Sequence, residues 1–315
     1  MFWRKKTEAE LTIGCCLMDN GYSIAVISDN RQLIFSESRV FNENILHTMP
    51  QALAEDVERM QIIAKDAAVV LTPSQYQLLL MDAMNVPEAE MAKALRWNLK
   101  GLSEYDLDDV AIDMCAVPSE ENGPHKIFVA LTSRTKLDEK IALLQSAFLN
   151  VTTVTIAEMA LRNLLPLVRV KQPELEHSPV IVISLWDKVR KLHIFYEDLF
   201  YLIRELTPAT NNSDAKETIE MTNLTFEIER SIDYCINQLN LPEPKHLFFT
   251  PSFYFATKSL KSIGKMLNMH VELIDLNQYL EIEPALPLKK QQDVFFSIIS
   301  ALTYVERETE NETAH

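Results

Sequence analysis

Seven histidines (His47, His125, His177, His193, His246, His270, His315) and four cysteines (Cys15, Cys16, Cys115, Cys235) are the side chains best suited to holding a metal. No two histidines stand in an HxxxH or HxH spacing, so each reads as a surface or internally satisfied residue. The cysteines are too few and too scattered for a disulfide framework or a zinc ribbon. Cys15 and Cys16 on a strand would point to opposite faces, and buried free thiols in a reducing compartment are the expectation. No Gly-x-Ser-x-Gly elbow occurs to expose a serine nucleophile. Glu227, Glu229 and Asp233 follow a charge-rich helical pattern and read as a solvated face.

Phosphate chemistry is judged from glycine, because a phosphate loop needs positive φ and close backbone approach. The chain has five glycines: Gly14, Gly21, Gly101, Gly123 and Gly264. No two are close enough to build such a loop, and neither a Walker A nor a GxGxxG pattern is present.

The elements that must position any site follow from length and pattern. At 315 residues, 47% hydrophobic and 24% charged, the chain suits a globular protein, and at ~150 residues per domain it holds about two. A net charge of −15 argues against nucleic-acid binding. No apolar run approaches a membrane span, and the start lacks a signal-peptide core, so a cytoplasmic protein is expected. Met1-Phe2-Trp3-Arg4-Lys5-Lys6 carries aromatics and cations that suit peripheral contact with an anionic bilayer, although a disordered start is the plainer expectation. Residues 307–315 read as a disordered acidic tail.

Three strand-like runs open the chain (Leu11–Leu17, Tyr22–Ser28, Gln32–Ser38), with Asp19-Asn20-Gly21 and Asp29-Asn30 as turns. A helix capped by Thr48, with Pro50 in its first turn and Leu53, Val57, Met60 and Ala64 as its stripe, precedes strand Ala67–Thr72. The second half repeats the order. Strands Val180–Ser184, Lys191–Tyr196 and Leu199–Arg204 lead to a long helix over Ala215–Leu241, striped by Met221, Leu224, Ile228, Ile232, Cys235 and Leu239. Strand His246–Thr250, helix Phe253–Leu267, strand His270–Ile274 and a helix carrying Phe295, Ile298, Leu302 and Val305 complete it. Between the copies an α+β module is expected over 73–150. It holds helix Glu88–Leu102 (Met91, Leu95, Leu99 and Leu102 on one face), a hairpin turning at Asn122-Gly123-Pro124, and helix Leu137–Phe148. Val151–Thr155 and helix Ile156–Leu165 then return to the first half. The expected division is 1–72 with 151–170 as one ribonuclease H-like domain, 73–150 as the insertion, and 178–306 as a second ribonuclease H-like domain.

Two β-β-β-α-β-α-β-α halves with an insertion at this place resemble the actin-like ATPases, and within them the PilM and FtsA arrangement, whose inserted module is the 1C type. Local stretches are similar to PilM and its pilus relatives such as MshI: Thr72-Pro73-Ser74, Val86-Pro87 with the Glu90–Trp97 helix, Tyr105-Asp106-Leu107-Asp108-Asp109, Ala157–Leu164, Glu227–Tyr234, and Phe295–Leu302. The departures are pointed. Where the family's first phosphate loop stands, this chain has Cys16, Met18 and Asp19, followed by Gly21. At the second it has Ser184 and Trp186, then Asp187. At the adenosine loop it has Pro251 and Ser252, followed by Phe253. An indole excludes a phosphate, serine cannot replace a metal-holding carboxylate, and proline has neither the φ freedom nor an N–H. The resemblance with these losses implies a pseudo-ATPase without cofactor.

It further implies a scaffold that binds the N-terminal cytoplasmic tail of a PilN-like bitopic membrane protein beside the module, in contact with a pilus motor ATPase. The matching segment holds Tyr76, Leu80, Met84, Trp97 and Tyr105, side chains suited to a groove that grips an extended peptide. Two alternatives are carried: a nucleotide-dependent switch with an altered pocket, and a GspL-like component of a type II secretion platform.

Overall fold

A computed structural model of the chain describes residues 11–43, 45–62, 66–84, 86, 88–118, 125–186, 189–206, 214–251, 257–282 and 291–302. Asp187, Ser252, the turn at Gly123, the first six residues and the acidic tail lie outside the described residues.

The opening runs form β1 (Leu11–Met18), β2 (Gly21–Ser28) and β3 (Gln32–Val40), an antiparallel meander whose first two strands are buried on both faces. Strands β4 (Asp66–Leu71) and β8 (Asn150–Ile156) add in parallel beside β1. The second half repeats this with antiparallel β9 (Val180–Trp186), β10 (Val189–Tyr196) and β11 (Leu199–Leu206), then parallel β12 (His246–Phe249) and β13 (His270–Leu273). Between β4 and β8 a smaller sheet is ordered β5-β7-β6, from β5 (Gln77–Asp82), β6 (Val110–Val117) and β7 (Lys126–Ser133). The repeated order and the inserted sheet follow the pattern seen in the sequence.

Burial assigns each helix to a layer. Helix α1 (Ile45–Arg59) buries Leu53 and Val57 on one face of the first sheet. It starts before the expected cap at Thr48 and carries Pro50 inside it. Helix α2 (Glu88–Asn98) buries Leu95 on the small sheet, followed by Leu99 just past its end. It stops short of the expected Leu102, because Gly101 turns the chain at φ +85° and leaves Leu102 exposed. Helix α3 (Arg134–Ser146) was expected inside the insertion. Instead Leu144 on α3, with Ala147 and Leu149 just beyond it, joins Leu53 and Val57 in the core of the first sheet. Among the described residues the insertion therefore holds one helix and three strands, of which β5 departs from the expected order.

Helices α4 (Ala157–Arg162) and α5 (Leu165–Lys171) lie in a central cluster that draws Cys16, Ala25 and Val70 from the first sheet and Val180, Val182 and Phe195 from the second. Helix α6 (Asp214–Gln238) packs Leu224, Ile228 and Cys235 on the outer face of the second sheet, as its stripe requires, beside α7 (Thr257–Leu267). The last elements do not stay with the second half, contrary to the expected 178–306 unit. The short β14 (Glu281–Ile282) pairs with β3, and α8 (Gln291–Ala301) lies against β1 and β2. Gly14 permits that crossing, since a Cβ there would stand 1.8 Å from the Ser297 carbonyl oxygen. The side chains of β1 accordingly divide: Cys15 enters the α1 core and Cys16 the central cluster. Burial pushes the Cys16 thiol up to about 12 and Cys15 upward as well. No described helix is long and apolar enough to cross a membrane.

Candidate functional site

Two hollows of nearly equal size flank the first sheet. One is a cleft of about 490 Å³ where the ends of β1, β9 and β12 meet the start of α8. The other is a groove of about 480 Å³ between the small sheet and β8.

The cleft gathers Cys16, Met18, Asp19, Trp186 and Pro251, so the residues standing at the three loop positions do converge in space. Ser184 does not line it. Its hydroxyl lies 2.8 Å from His193 Nε2, both side chains buried between the halves. The backbone there is already committed. The β1–β2 ladder closes at Met18↔Gly21, leaving Asp19 and Asn20 as the turn, and the β9–β10 ladder closes at Trp186↔Val189. The Leu185 N–H donates to Thr250 Oγ1 at 3.1 Å, and the Thr250 N–H donates to the Ile183 carbonyl at 2.9 Å. The Trp186 ring packs on Phe296 of α8, centroids 4.8 Å apart, where the halves meet. Among the described residues the charged members of the lining are Asp19 and Asp293, and Lys140 lies close enough to Asp19 to interact with its charge. A triphosphate entering it would meet these two carboxylates.

The groove is built differently. Consecutive residues of β6, Ala111–Cys115, form one wall, and Val154, Thr155 and Ile156 of β8 form the other. Alternate residues of a strand face opposite ways, so consecutive lining residues mean that each strand presents its edge. Both strands do end their sheets. Leu78, Phe128 and Met159 add to an apolar interior, with Tyr76 at its base.

Of the aromatic and methionine residues singled out, Tyr76 lines this groove. It is buried, and its hydroxyl donates to Glu158 Oε2. Burial, and next the Glu158 charge, push the phenol well above its ordinary range. Leu80 shares a strand face with Leu78 but stands 52% exposed outside the lining. Met84 and Tyr105 pack into the core beneath α2. Trp97, 75% exposed, stands on the outside of α2. The groove's walls were missed because the alternating pattern of β6 and β8 marks a strand without saying which neighbour it lacks. His246 and His270, far apart in sequence, meet across β12 and β13 with centroids 5.3 Å apart. Among the described residues no three metal donors gather.

No family model and no curated protein matches the sequence. Solved structures do match. The PilM–PilN type IV pilus biogenesis complex is similar over 92% of this chain and 96% of that one, with a TM-score of 0.65 at 16% identity. The cytoplasmic domain of EpsL, an inner-membrane component of the type II secretion system of Vibrio cholerae, is similar over 86% of this chain and 92% of that one. Its TM-score is 0.50 at 14% identity. The fold is actin-like. At these identities the likeness establishes the architecture, and the chemistry has to come from the two hollows.

Proposed function

We propose that the protein is a non-catalytic scaffold on the cytoplasmic side of a bacterial inner membrane, within the assembly platform of a type IV or MSHA-type pilus. In this reading the groove takes the N-terminal cytoplasmic tail of a PilN-like bitopic membrane protein as an extended strand. The groove carries the proposal: two strand edges face each other across an apolar hollow of about 480 Å³. Edge N–H and C=O groups would supply affinity to a backbone laid between them, and the floor at Leu78, Phe128 and Met159 would select apolar side chains. A solved structure similar over most of this chain is a complex of PilM with PilN. The protein would reach the membrane through that partner, and a motor ATPase would stand on another face.

The cleft supports the non-catalytic part. Trp186 packed against Phe296 and the two carboxylates of the described lining count against a nucleotide triphosphate there. The likeness to EpsL supports a second reading, the same scaffold role in a type II secretion platform.

Titrating the purified chain with peptides copying the cytoplasmic tails of bitopic inner-membrane proteins tests the groove. Binding should protect the amides of β6 and β8 from hydrogen exchange. Protection confined to other surfaces would end the groove assignment. In parallel, Mg-ATP should produce neither saturable binding nor phosphate release, with or without the peptide, and turnover would overturn the pseudo-ATPase reading.

A further inference from the structure

Three residues from three parts of the chain meet at the base of the groove. Tyr76 precedes β5 of the inserted sheet, Glu158 lies in α4, and Lys191 lies on β10 of the second sheet. The fully buried Glu158 carboxylate accepts from the Tyr76 hydroxyl through one oxygen and from Lys191 Nζ, at 2.9 Å, through the other. The same ammonium stands 5.4 Å from the centroid of the Tyr76 ring, within cation–π range. A carboxylate at that depth is tolerable only while its partners hold it. Burial keeps the His193 imidazole down at about 4, so it is neutral near pH 7 and adds no second positive charge beside Glu158.

The groove floor touches the second sheet elsewhere too. Phe128 stacks on Phe200 of β11 with centroids 4.6 Å apart, and Cys115 and Val117 of β6 pack against the central cluster. One wall of the groove thus leans on a half of the molecule that lines none of it.

We infer that Lys191 is a positioning residue for the groove: through Glu158 it fixes where the Tyr76 ring stands, so the width of the groove follows the placement of the second sheet. Its use by a partner tail rests on the function proposed above, whereas the coupling itself does not. An occupant that widens the groove would be felt at β10, and a partner that shifts the second sheet would change affinity in the groove.

Cys115 supplies the measurement. It lines the groove half-buried, while Cys15, Cys16 and Cys235 are buried in the cores. Maleimide labelling of the full chain, without partner and resolved by site in a mass spectrometer, reads how often the groove opens. Lys191→Met should raise the Cys115 rate about fivefold or more, and Tyr76→Phe about twofold, with the other three thiols unchanged. Lys126→Ala, which breaks an exposed ion pair with Asp82 on the same module (2.6 Å), should leave the rate as it is. If Lys191→Met does not fold, the paired change Glu158→Gln with Lys191→Met removes both charges and keeps the shape. A folded variant that labels at the wild-type rate, or in which all four thiols accelerate together, overturns the inference. Protection of Cys115 by a tail peptide is scored separately. Its absence with the coupling intact counts against the proposed function alone.

Discussion

The cleft and the groove differ by about 10 Å³, yet they are made of opposite materials. The cleft lies at strand ends, where the polypeptide turns, and its backbone groups are taken up by the Met18↔Gly21 and Trp186↔Val189 closures and by Thr250. The groove lies along the edges of β6 and β8, each of which pairs on one side only among the described strands. An edge that ends a sheet asks for a partner, and proteins normally cover or disrupt such edges. Volume alone would have ranked the two equally, and the state of the backbone separates them.

The largest expected effect tests whether the cleft is held shut by packing. Gly14→Ala would drive a methyl into the Ser297 carbonyl and force α8 off β1. We expect a loss of about 3 kcal/mol, the upper part of the overpacking range, read as a fall in the urea midpoint. A loss below ~1 kcal/mol would mean that α8 yields easily, outside the usual overpacking cost, and that the cleft is not a fixed feature.

The groove should break from its own wall. Thr155→Asp sets a carboxylate on the β8 side, and a bound tail should lose ~2 kcal/mol or more, roughly thirtyfold in affinity, with little change in melting temperature. Unchanged affinity in the folded variant would move the partner site elsewhere.

A third test addresses the partition between the halves. His193 is buried and its folded pKa lies at about 4, below the 6.5 of a free imidazole. The unfolded chain therefore takes up the proton first. Stability from this group is complete above pH 6.5 and is lost as the pH falls toward 4. Between pH 7 and pH 5 the loss should reach ~2 kcal/mol, and His193→Gln should flatten that slope. An equal slope in the variant would assign the acid sensitivity to other groups.

The smallest effect sharpens the boundary of the groove. Trp97→Ala removes an exposed ring from the outer side of α2 and should change both stability and tail affinity by under ~0.5 kcal/mol. A larger loss of affinity would extend the partner surface around the module.

Sequence pattern alone determined the repeated β-β-β-α-β order and the outer stripe of α6. Each depends on residues near one another in the chain: short apolar runs between turn residues, or an apolar stripe of period 3.6. Tyr76 drew attention by its type, but the sequence could not separate it from Trp97, because both are aromatics in the same segment and only packing buries one and exposes the other. Tertiary structure decided everything that depends on distant neighbours. The pair β14 with β3, the passage of α8 over Gly14, the return of α3 to the first core and the meeting of Tyr76, Glu158 and Lys191 all join residues far apart in sequence. The groove is the clearest case. A strand's alternation shows that it has two faces, but whether it also has a free edge is settled by which strands fail to pair with it, and no local pattern records a missing neighbour.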